Sequence, residues 1–311
     1  MNPHVPIAHD AAVSVVVPTH NRPHLVLDAV RSIISQDHAG PIEVLVVFDG
    51  CAPHPIAVDC PPGRTVRRVT NDRRTPGLAG ARNTGILDAT GDLIGFCDDD
   101  DAWLPRKLAS QIAALREFGT EALCGTGSLV VSGAAAHARP GPRRVLGLDD
   151  FLRDRIMEIA SGSFLVRRQT LVEQIGLLDE QLPGSYGEDY DLLLRAARVL
   201  PVINVAEPLL RVSFHPGSFY VARWRTVIDA LTYLLAKHPE FDAVPEGRAR
   251  IRGQIAYAHA ALGDRASARR MAREVLRDNR REKRAYAALL ASAGVPAPWV
   301  SGLARRFGRG I

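Results

Sequence analysis

The chain has 311 residues, of which 46% are hydrophobic, 23% charged and 6% aromatic, and these proportions exclude collagen-like, disordered and membrane-bundle proteins. The formal net charge of +5 is distributed unevenly, because residues 1–220 carry 21 basic and 26 acidic side chains whereas residues 221–311 carry 18 basic and 8 acidic ones. The acidic part suits cations, and the basic part suits phosphates, an anionic membrane or an acidic partner.

The cysteines indicate a reducing compartment. Cys51, Cys60, Cys97 and Cys124 form no CxxC pair, and no signal-peptide pattern precedes the first apolar run. We therefore expect a cytoplasmic protein without disulfides or a zinc site. Residues 285–304 carry no charge, but prolines and glycines interrupt them, so we do not expect them to span a membrane.

Strand and helix patterns alternate in the first third of the chain. The strand patterns are residues 13–17, 42–48, 65–69 and 93–97, and the helix patterns are residues 24–36 and 78–89. This order predicts a largely parallel sheet that helices cover on both faces. Ligands of such sheets bind beyond the carboxyl ends of the strands, where this chain places polar and acidic residues.

The middle of the chain is less regular. Residues 133–142 are rich in Gly, Ala and Pro and indicate a linker, and a further helix is predicted to begin near Glu188. From Trp224 onward the patterns are helical only. We therefore predict two domains, residues 1–220 with the sheet and residues 221–311 as a basic helical region.

The helical region contains one pattern that resembles a tetratricopeptide-like hairpin. Small residues recur along two successive helix patterns that meet at Gly263-Asp264. The predicted helices are residues 251–262, 266–278 and 283–292. A single such unit does not amount to a repeat array.

Four successive aspartates, Asp98–Asp101, follow the strand pattern of residues 93–97. Their like charges repel one another unless a cation joins them, and hard carboxylate oxygens suit Mg²⁺ or Mn²⁺ shared with substrate phosphates. The alternative is a solvated acidic turn that caps the helix predicted after Pro105. Both interpretations stay open on this motif alone.

Three further segments contain groups suited to chemistry. Glu188 and Asp189 lie at a predicted helix start, where they either complement the helix dipole or supply a carboxylate base. Arg82 lies in the small-residue sequence GLAGARNTG and is able to face a diphosphate. His215 lies in a predicted loop and could complete the shell of a divalent metal.

Together the sequences VSVVVPTHNR, GLAGARNTGI, FCDDDDAWLP and GEDYDLLLR resemble, in this order and spacing, the motifs of the family 2 glycosyltransferases. The resemblance runs from Val13 to about Ser218. It implies the GT-A fold, which is a Rossmann-like mixed α/β sheet flanked by helices, here followed by an all-helical C-terminal segment. It also implies an inverting, metal-dependent transferase that moves a sugar from a nucleoside-diphosphate sugar to an acceptor hydroxyl.

The resemblance assigns roles to individual residues. The nucleotide-sugar-binding residues it implies are Pro18, Thr19, Asn21, Asp49, Arg82, Asp98 and Asp99. It makes Asp100 the metal ligand, joined by His215, with Asp98 and Asp101 supporting the ion directly or through water.

On the acceptor side, Asp189 matches the catalytic base of the family, and Glu188 lies beside it. Trp103 occupies a position from which its ring either stacks on a sugar or packs in the core. The second strand of the family often ends in two aspartates, but Phe48 stands at the first of these positions here. The nucleobase therefore stays open among uridine, guanosine and thymidine.

Two other classes of function stay open alongside the transferase. One is a nucleotidyltransferase-type sugar-nucleotide enzyme, and the other is a non-catalytic module that works through the basic helical tail.

We expect a glycan or lipid-linked acceptor from bacterial polysaccharide, glycolipid or cell-envelope synthesis. The aromatic residues of the tail are spaced as helix core, so we expect no nucleic-acid partner. Residues 299–309 either rest peripherally on the anionic inner face of the plasma membrane or form an ordinary soluble end.

Overall fold

A computed structural model of the chain describes residues 6–119, 121–141, 145–213 and 223–295. Within these residues the backbone divides into two compact units. Unit 1 comprises residues 6–148, 156–180 and 188–213, and unit 2 comprises residues 149–155, 181–187 and 223–295. The predicted domain boundary at residue 220 lies outside the described residues and stays a prediction.

Unit 1 contains a single mixed sheet. Its strands are β1 (Val13–Thr19), β2 (Ile42–Phe48), β3 (Arg64–Thr70), β4 (Leu93–Phe96), β5 (Ala102–Trp103), β6 (Leu123–Ser132), β7 (Ala135–Arg139), β8 (Val145–Leu146), β9 (Leu165–Arg167) and β10 (Val202–Ser213). The order across the sheet is β3-β2-β1-β4-β9-β6-β10-β5, with β7 beside β6 and β8 beside β10. Strands β1 to β4 are mutually parallel, whereas β9 runs antiparallel to both β4 and β6.

The helices on unit 1 follow from its sequence. They are α1 (Pro23–Ile34), α2 (Leu78–Asp88), α3 (Lys107–Phe118), the short α5 (Arg168–Thr170), which continues as a π-helical turn Leu171–Ile175, and α6 (Glu188–Val199). All seven residues of β1 are buried, because helices cover both faces of the central strands. Helix α2 packs closely on β1 through Gly85, where a Cβ would overlap the side chain of Val16. The parallel sheet predicted for residues 13–97 is confirmed.

Residues 133–142 do not form the predicted linker in the part that the structure describes. Residues 135–139 form β7, which pairs antiparallel with β6 across a turn at Gly133, whose φ is +58°. The strand escapes sequence analysis because its Ala-rich, exposed sequence has little intrinsic strand preference. Its pairing depends on the long edge that β6 supplies.

Unit 2 is helical throughout its described residues. Its helices are α4 (Leu148–Arg153, whose first residue belongs to unit 1), α7 (Trp224–Lys237), α8 (Pro245–Ala261), α9 (Arg265–Asp278) and α10 (Lys283–Ser292), with short 3₁₀ turns at Pro183–Ser185 and Pro239–Ala243. The predicted α8–α9 hairpin is present, although α8 begins six residues before the predicted start. The carboxylate of Asp264 begins α9 by accepting a hydrogen bond from the Ser267 backbone N–H at 3.0 Å.

The core of unit 2 is built largely from alanine. Small side chains on α8, α9 and α10 are buried against one another, which lets the three helix backbones approach closely. The buried alanines of this cluster are Ala249, Ala256, Ala260, Ala268, Ala272, Ala285, Ala288 and Ala291. None of the helices in the described part of the chain has both the length and the apolarity needed to cross a bilayer.

Candidate active site

The carboxyl ends of β2, β1 and β4 meet at one edge of the sheet, because these strands are parallel neighbours. Hydrogen bonds join the residues that follow them. The backbone N–H of Asp49 donates to the carbonyl of Thr19 at 3.1 Å. The hydroxyl of Thr19 donates in turn to Oδ2 of Asp99 at 2.7 Å. The ends of the three strands therefore form one continuous site.

Arg22 connects the first strand end to the acidic turn. Its Nη1 lies 3.1 Å from Oδ1 of Asp99 and 3.0 Å from Oδ2 of Asp100. Burial raises the pKa of Asp99 to about 6, and the hydrogen bond from Thr19 and the charge of Arg22 act against that rise. Asp99 is thus enclosed by protein partners, whereas the side chain of Asp100 is 18% exposed.

Arg82 connects the acidic turn to the start of α6. Its guanidinium is 1% exposed and forms ion pairs with Asp98 and Glu188, and Nη2 also donates to the Ser161 hydroxyl at 3.1 Å. Burial acts to lower the pKa of Arg82, but the charges of Asp98, Glu188 and Asp189 outweigh it and raise the pKa. The guanidinium is therefore positively charged and holds both acidic motifs in one place.

This geometry changes the role predicted for Arg82. The sequence motif suggests a side chain that faces a diphosphate, yet the guanidinium faces two carboxylates and a hydroxyl instead. Buried Arg82 holds these groups because α2 lies directly against β1, one strand away from β4. A direct contact between Arg82 and a diphosphate is not what the structure shows.

Asp101 is buried behind the turn. Its Oδ1 accepts a hydrogen bond from the backbone N–H of Ser213 at 3.0 Å. Burial raises the pKa of the Asp101 carboxyl, and the charges of Asp98 and Asp100 raise it further. Asp101 therefore anchors the acidic turn to β10 and is less accessible to an ion than Asp98 or Asp100.

Asp189 lies in the first turn of α6, next to Glu188. Its Oδ1 accepts a hydrogen bond from the backbone N–H of Tyr190 at 2.8 Å, and its charge acts on Arg82. Asp189 is half-buried, whereas Glu188 is buried in its pair with Arg82. The more accessible carboxylate of the two is thus the one matched to the catalytic base.

Asp49 holds the loop that begins α2. Its Oδ1 accepts from the side-chain amide of Asn71 at 2.7 Å, and its Oδ2 accepts from the backbone N–H of Gly77 at 2.9 Å. Asn71 also accepts from the Thr84 hydroxyl at 2.8 Å. Asp49 therefore shapes the wall of the site next to β2, where the sequence places the nucleotide.

Pro18 and Thr19 are buried at the end of β1, and the exposed Asn21 follows them with a φ of +54°. Asparagine tolerates this left-handed conformation better than most residues. Asn21 thus turns the chain from β1 into α1 at the edge that carries the aspartates. All three residues lie where the sequence predicts, and their contact with a nucleotide stays a prediction.

Two roles are predicted for Trp103, stacking on a sugar or packing in the core, and the structure shows that it packs in the core. The residue is 3% exposed, and its indole N–H donates to the carbonyl of Gly162 at 3.0 Å. Nζ of Lys107 lies 3.8 Å from the centre of the ring and covers one of its faces. Stacking on an acceptor sugar is wrong for Trp103, because β5 pairs with β10 and turns the ring inward.

His215, the other predicted metal ligand, lies outside the described residues. Among the residues described, no three His, Cys, Asp or Glu side chains form a ready-made metal cluster. The donor set nevertheless fits a hard divalent cation, because such ions often take only one or two protein carboxylates and complete their shell with phosphates and water. Asp98 and Asp100, whose side chains are 32% and 18% exposed, are the accessible carboxylates.

The charges of the site also suit a divalent cation. Six carboxylates lie around the guanidinium groups of Arg22 and Arg82, so acidic groups are in excess among these side chains. The six are Asp98, Asp99, Asp100, Asp101, Glu188 and Asp189. A divalent cation would offset part of this excess.

Three functional contacts were missed from the sequence. The sequence assigns no role to Arg22, although it ends the first motif directly after Asn21. Ser161 carries no sequence signal, since it reaches Arg82 from a 3₁₀ turn 79 positions away. Glu180 was also missed. Its carboxylate binds the backbone N–H of Thr75 at 3.0 Å and the amide of Asn83 at 2.7 Å, and so fixes the loop before α2.

Comparison with known families and structures places the chain in a recognised family. The model of the family described as Glycosyl transferase family 2 matches residues 14–176. An uncharacterized glycosyltransferase of Rickettsia typhi is 26% identical over 235 residues, which cover 71% of this chain and 72% of that protein. A second relative, from Rickettsia felis, is 31% identical over 113 residues, but the match spans 18% of its length. The Escherichia coli UDP-Glc:alpha-D-GlcNAc-diphosphoundecaprenol beta-1,3-glucosyltransferase WfgD is 27% identical over 44% of this chain and 53% of its own.

Two solved structures resemble the whole chain. Staphylococcus aureus TarS 1–349 in complex with UDP-GlcNAc matches 96% of this chain and 92% of its own, with a TM-score of 0.59 and 16% identity. The mannosyltransferase PcManGT of Pyrobaculum calidifontis, in complex with GDP-Man and Mn²⁺, matches 98% of this chain and 81% of its own, with a TM-score of 0.51 and 19% identity. The likeness confirms the predicted GT-A fold.

Proposed function

Because the chain belongs to glycosyl transferase family 2, we propose that it transfers a sugar from a nucleoside-diphosphate sugar to an acceptor hydroxyl, with inversion at the anomeric carbon. The observation that carries the proposal is the position of Arg82 between Asp98 and Glu188. This pair of contacts joins the acidic turn, suited to the donor, to the helix start that carries Asp189. A donor and a base for the acceptor therefore meet at one sheet edge.

The donor occupies the carboxyl ends of β1, β2 and β4. Pro18, Thr19 and Asn21 line the nucleotide pocket on one side, and Asp49 holds the loop that borders it on the other. Asp99 lies toward the ribose. TarS was solved with UDP-GlcNAc and PcManGT with GDP-Man, so both uridine and guanosine donors suit this fold.

Asp98 and Asp100 would hold Mn²⁺ or Mg²⁺, with His215 as a further ligand. When bound, the ion would neutralise the negative charge that develops on the departing diphosphate. Arg82 fixes the carboxylate of Asp98 at the same place, and Arg22 fixes Asp99 and Asp100. The arginines thus position the acids that receive the donor.

Asp189 is the catalytic base. Its Oδ1 accepts a hydrogen bond from the backbone N–H of Tyr190, and the half-buried carboxylate takes the proton of the acceptor hydroxyl. The oxygen of that hydroxyl then attacks the anomeric carbon from the face opposite the diphosphate, and this single displacement inverts the configuration. Glu188 stays paired with Arg82 and keeps the helix start in position.

The acceptor is a glycan or a lipid-linked sugar of the bacterial cell envelope. WfgD, whose name specifies a diphosphoundecaprenol-linked acceptor, supports this class. We place the enzyme in the cytoplasm, with peripheral contact between residues 299–309 and the anionic inner leaflet. The family match favours transfer of the sugar over transfer of a nucleotidyl group.

A thermal-shift panel tests the proposal. UDP, GDP, dTDP and their common sugar conjugates are each added with and without Mn²⁺. One nucleotide should raise the melting temperature in the presence of the ion, because a ligand that binds only the folded state stabilises it by mass action. If no nucleotide shifts the melting temperature under either condition, the proposed donor site is wrong.

A further inference from the structure

The solvent side of α9 is a basic face. Its arginines at positions 265, 269, 270, 273 and 277 are all exposed, and the opposite side of the helix buries Ala268, Ala272 and Val275 in the core of unit 2. At 1.5 Å per residue, a helix of this length presents these side chains along about 20 Å of surface. We call these five arginines the α9 face.

The charges of the α9 face lack acidic partners within the described residues. No carboxylate there forms an ion pair with Arg265, Arg270, Arg273 or Arg277, and this includes the exposed Glu274 of α9 itself. Three other acids nearby are engaged elsewhere. Asp278 pairs with Arg248 on α8 at 3.4 Å. Glu282 and Asp264 likewise pair with Arg284 and His259.

The spacing of these arginines is unfavourable for the helix itself. Arg265, Arg269, Arg273 and Arg277 follow one another at intervals of four residues, and like charges at i and i+4 destabilise a helix. The repeat of charges therefore does not stabilise α9 itself, and an anionic surface outside the protein would relieve the repulsion.

An exposed apolar pair borders the α9 face. Tyr286 and Leu290 lie one turn apart on α10 and are 48% and 52% exposed. The Tyr286 hydroxyl donates to the carbonyl of Arg280, just after α9, at 2.8 Å. At the other end of the two helices, Arg269 donates to the carbonyl of Ser292 at 2.8 Å. These bonds hold the apolar pair beside the arginines.

We propose that the α9 face, together with Tyr286 and Leu290, docks unit 2 on an anionic phospholipid bilayer. Arginines beside exposed aromatic and aliphatic side chains are the composition that binds the interface of such membranes, with the charges at the headgroups and the apolar groups below them. A nucleic acid fits less well, because Tyr286 alone does not form the series of aromatic side chains on which bases stack. This surface is separate from residues 299–309 and does not depend on the transferase proposal.

Vesicle sedimentation of the full-length chain tests the surface. Vesicles of phosphatidylcholine with 30% phosphatidylglycerol are compared with pure phosphatidylcholine at low salt. Arg273→Gln/Arg277→Gln should weaken binding to the anionic vesicles roughly 30-fold, since each basic residue near an anionic surface adds to the affinity. The helical circular dichroism should stay unchanged, because glutamine has nearly the helix propensity of arginine.

A charge-matched control separates the α9 face from net charge. Arg68 and Arg116 are exposed on unit 1, and Arg68→Gln/Arg116→Gln removes the same two charges. This control should bind anionic vesicles like the wild type. Leu290→Ser should bind them more weakly than the wild type and the control do. Equal binding by the two double variants would overturn the proposal. The proposal would also be overturned if the wild type bound poly-uridine more tightly than vesicles and only Arg273→Gln/Arg277→Gln lost this binding. That result would assign the α9 face to nucleic acid.

Discussion

Arg82 on α2 forms an ion pair with Glu188 at the start of α6, although 106 positions separate the two residues. Both side chains are almost fully buried, and the same guanidinium also pairs with Asp98. Removal of one partner from a buried ion pair leaves an uncompensated charge in a region of low dielectric. This contact is therefore both the link between the two acidic motifs and a point of fragility.

Arg82→Met should lower the free energy of unfolding by about 3–5 kcal/mol, because Glu188 would remain buried without its counter-charge. Urea denaturation at pH 7 measures the change. Arg67→Gln is the matched surface control, since Arg67 pairs with Glu43 while 44% exposed, and it should cost about 0–1 kcal/mol. An equal cost for the two variants would contradict a structural role for the buried pair.

Asp189→Asn should reduce turnover by about 10²–10⁴-fold, because the acceptor hydroxyl loses its general base. Donor affinity should change little, since we assign Asp189 to the acceptor hydroxyl and not to the donor. Steady-state kinetics with the cognate donor and acceptor measure the first effect, and nucleotide titration measures the second. Wild-type turnover in this variant would show that Asp189 only complements the dipole of α6.

Arg22→Gln should raise the affinity of the nucleotide-free protein for Mn²⁺. The guanidinium of Arg22 contacts Oδ2 of Asp100, the residue that we assign to the ion, so Arg22 and Mn²⁺ compete for this carboxylate. We expect the affinity for Mn²⁺ to rise about two- to five-fold, because this ratio corresponds to the free energy of a partly exposed ion pair. Electron paramagnetic resonance of free Mn²⁺ reports the affinity, and a loss of Mn²⁺ binding in this variant would contradict the competition.

Lys107 makes stability depend on pH. Burial lowers the pKa of Lys107 to about 7 in the folded chain, compared with about 10.4 for an unfolded lysine. Between these values the unfolded chain binds a proton that the folded chain does not, so the free energy of unfolding rises as pH increases. Lys107→Met removes this dependence. Between pH 6 and pH 9, the free energy of unfolding of the wild type should therefore rise by roughly 2–3 kcal/mol relative to that of Lys107→Met.

Urea denaturation of both proteins across this pH range checks the prediction, and subtraction removes the contribution of every other titrating group. A constant difference would mean that Lys107 keeps its charge in the core. Its hydrogen bond to Gln111 at 2.8 Å and its position over the ring of Trp103 would then suffice to hold a buried ammonium.

Local patterns in the sequence predicted the elements that build the site. Strand β2 matches its predicted bounds, because Asp-Gly follows a run that is apolar except for Glu43. The start of α6 was also predicted at Glu188, since acidic residues cluster in its first turn. These elements place the acidic turn and Asp189 near each other.

The partners of individual side chains could not be predicted in the same way. The burial of Arg82 depends on the packing of α2 against β1, and Ser161 reaches it from a turn with no motif. The inward position of Trp103 depends on the pairing of β5 with β10, which joins residues more than a hundred positions apart. Such contacts follow from the topology of the whole sheet and leave no local sequence signal.

Calorimetric titration of the nucleoside diphosphate that the thermal-shift panel selects tests whether a divalent cation held by Asp100 and its neighbours binds the donor diphosphate. The wild type should bind the nucleotide with Mn²⁺ and lose most affinity in EDTA, and Asp100→Asn should bind weakly under both conditions. The exposed Asp59 provides the control, since Asp59→Asn should behave like the wild type. Equal affinity of wild type and Asp100→Asn, with and without Mn²⁺, would contradict the claim.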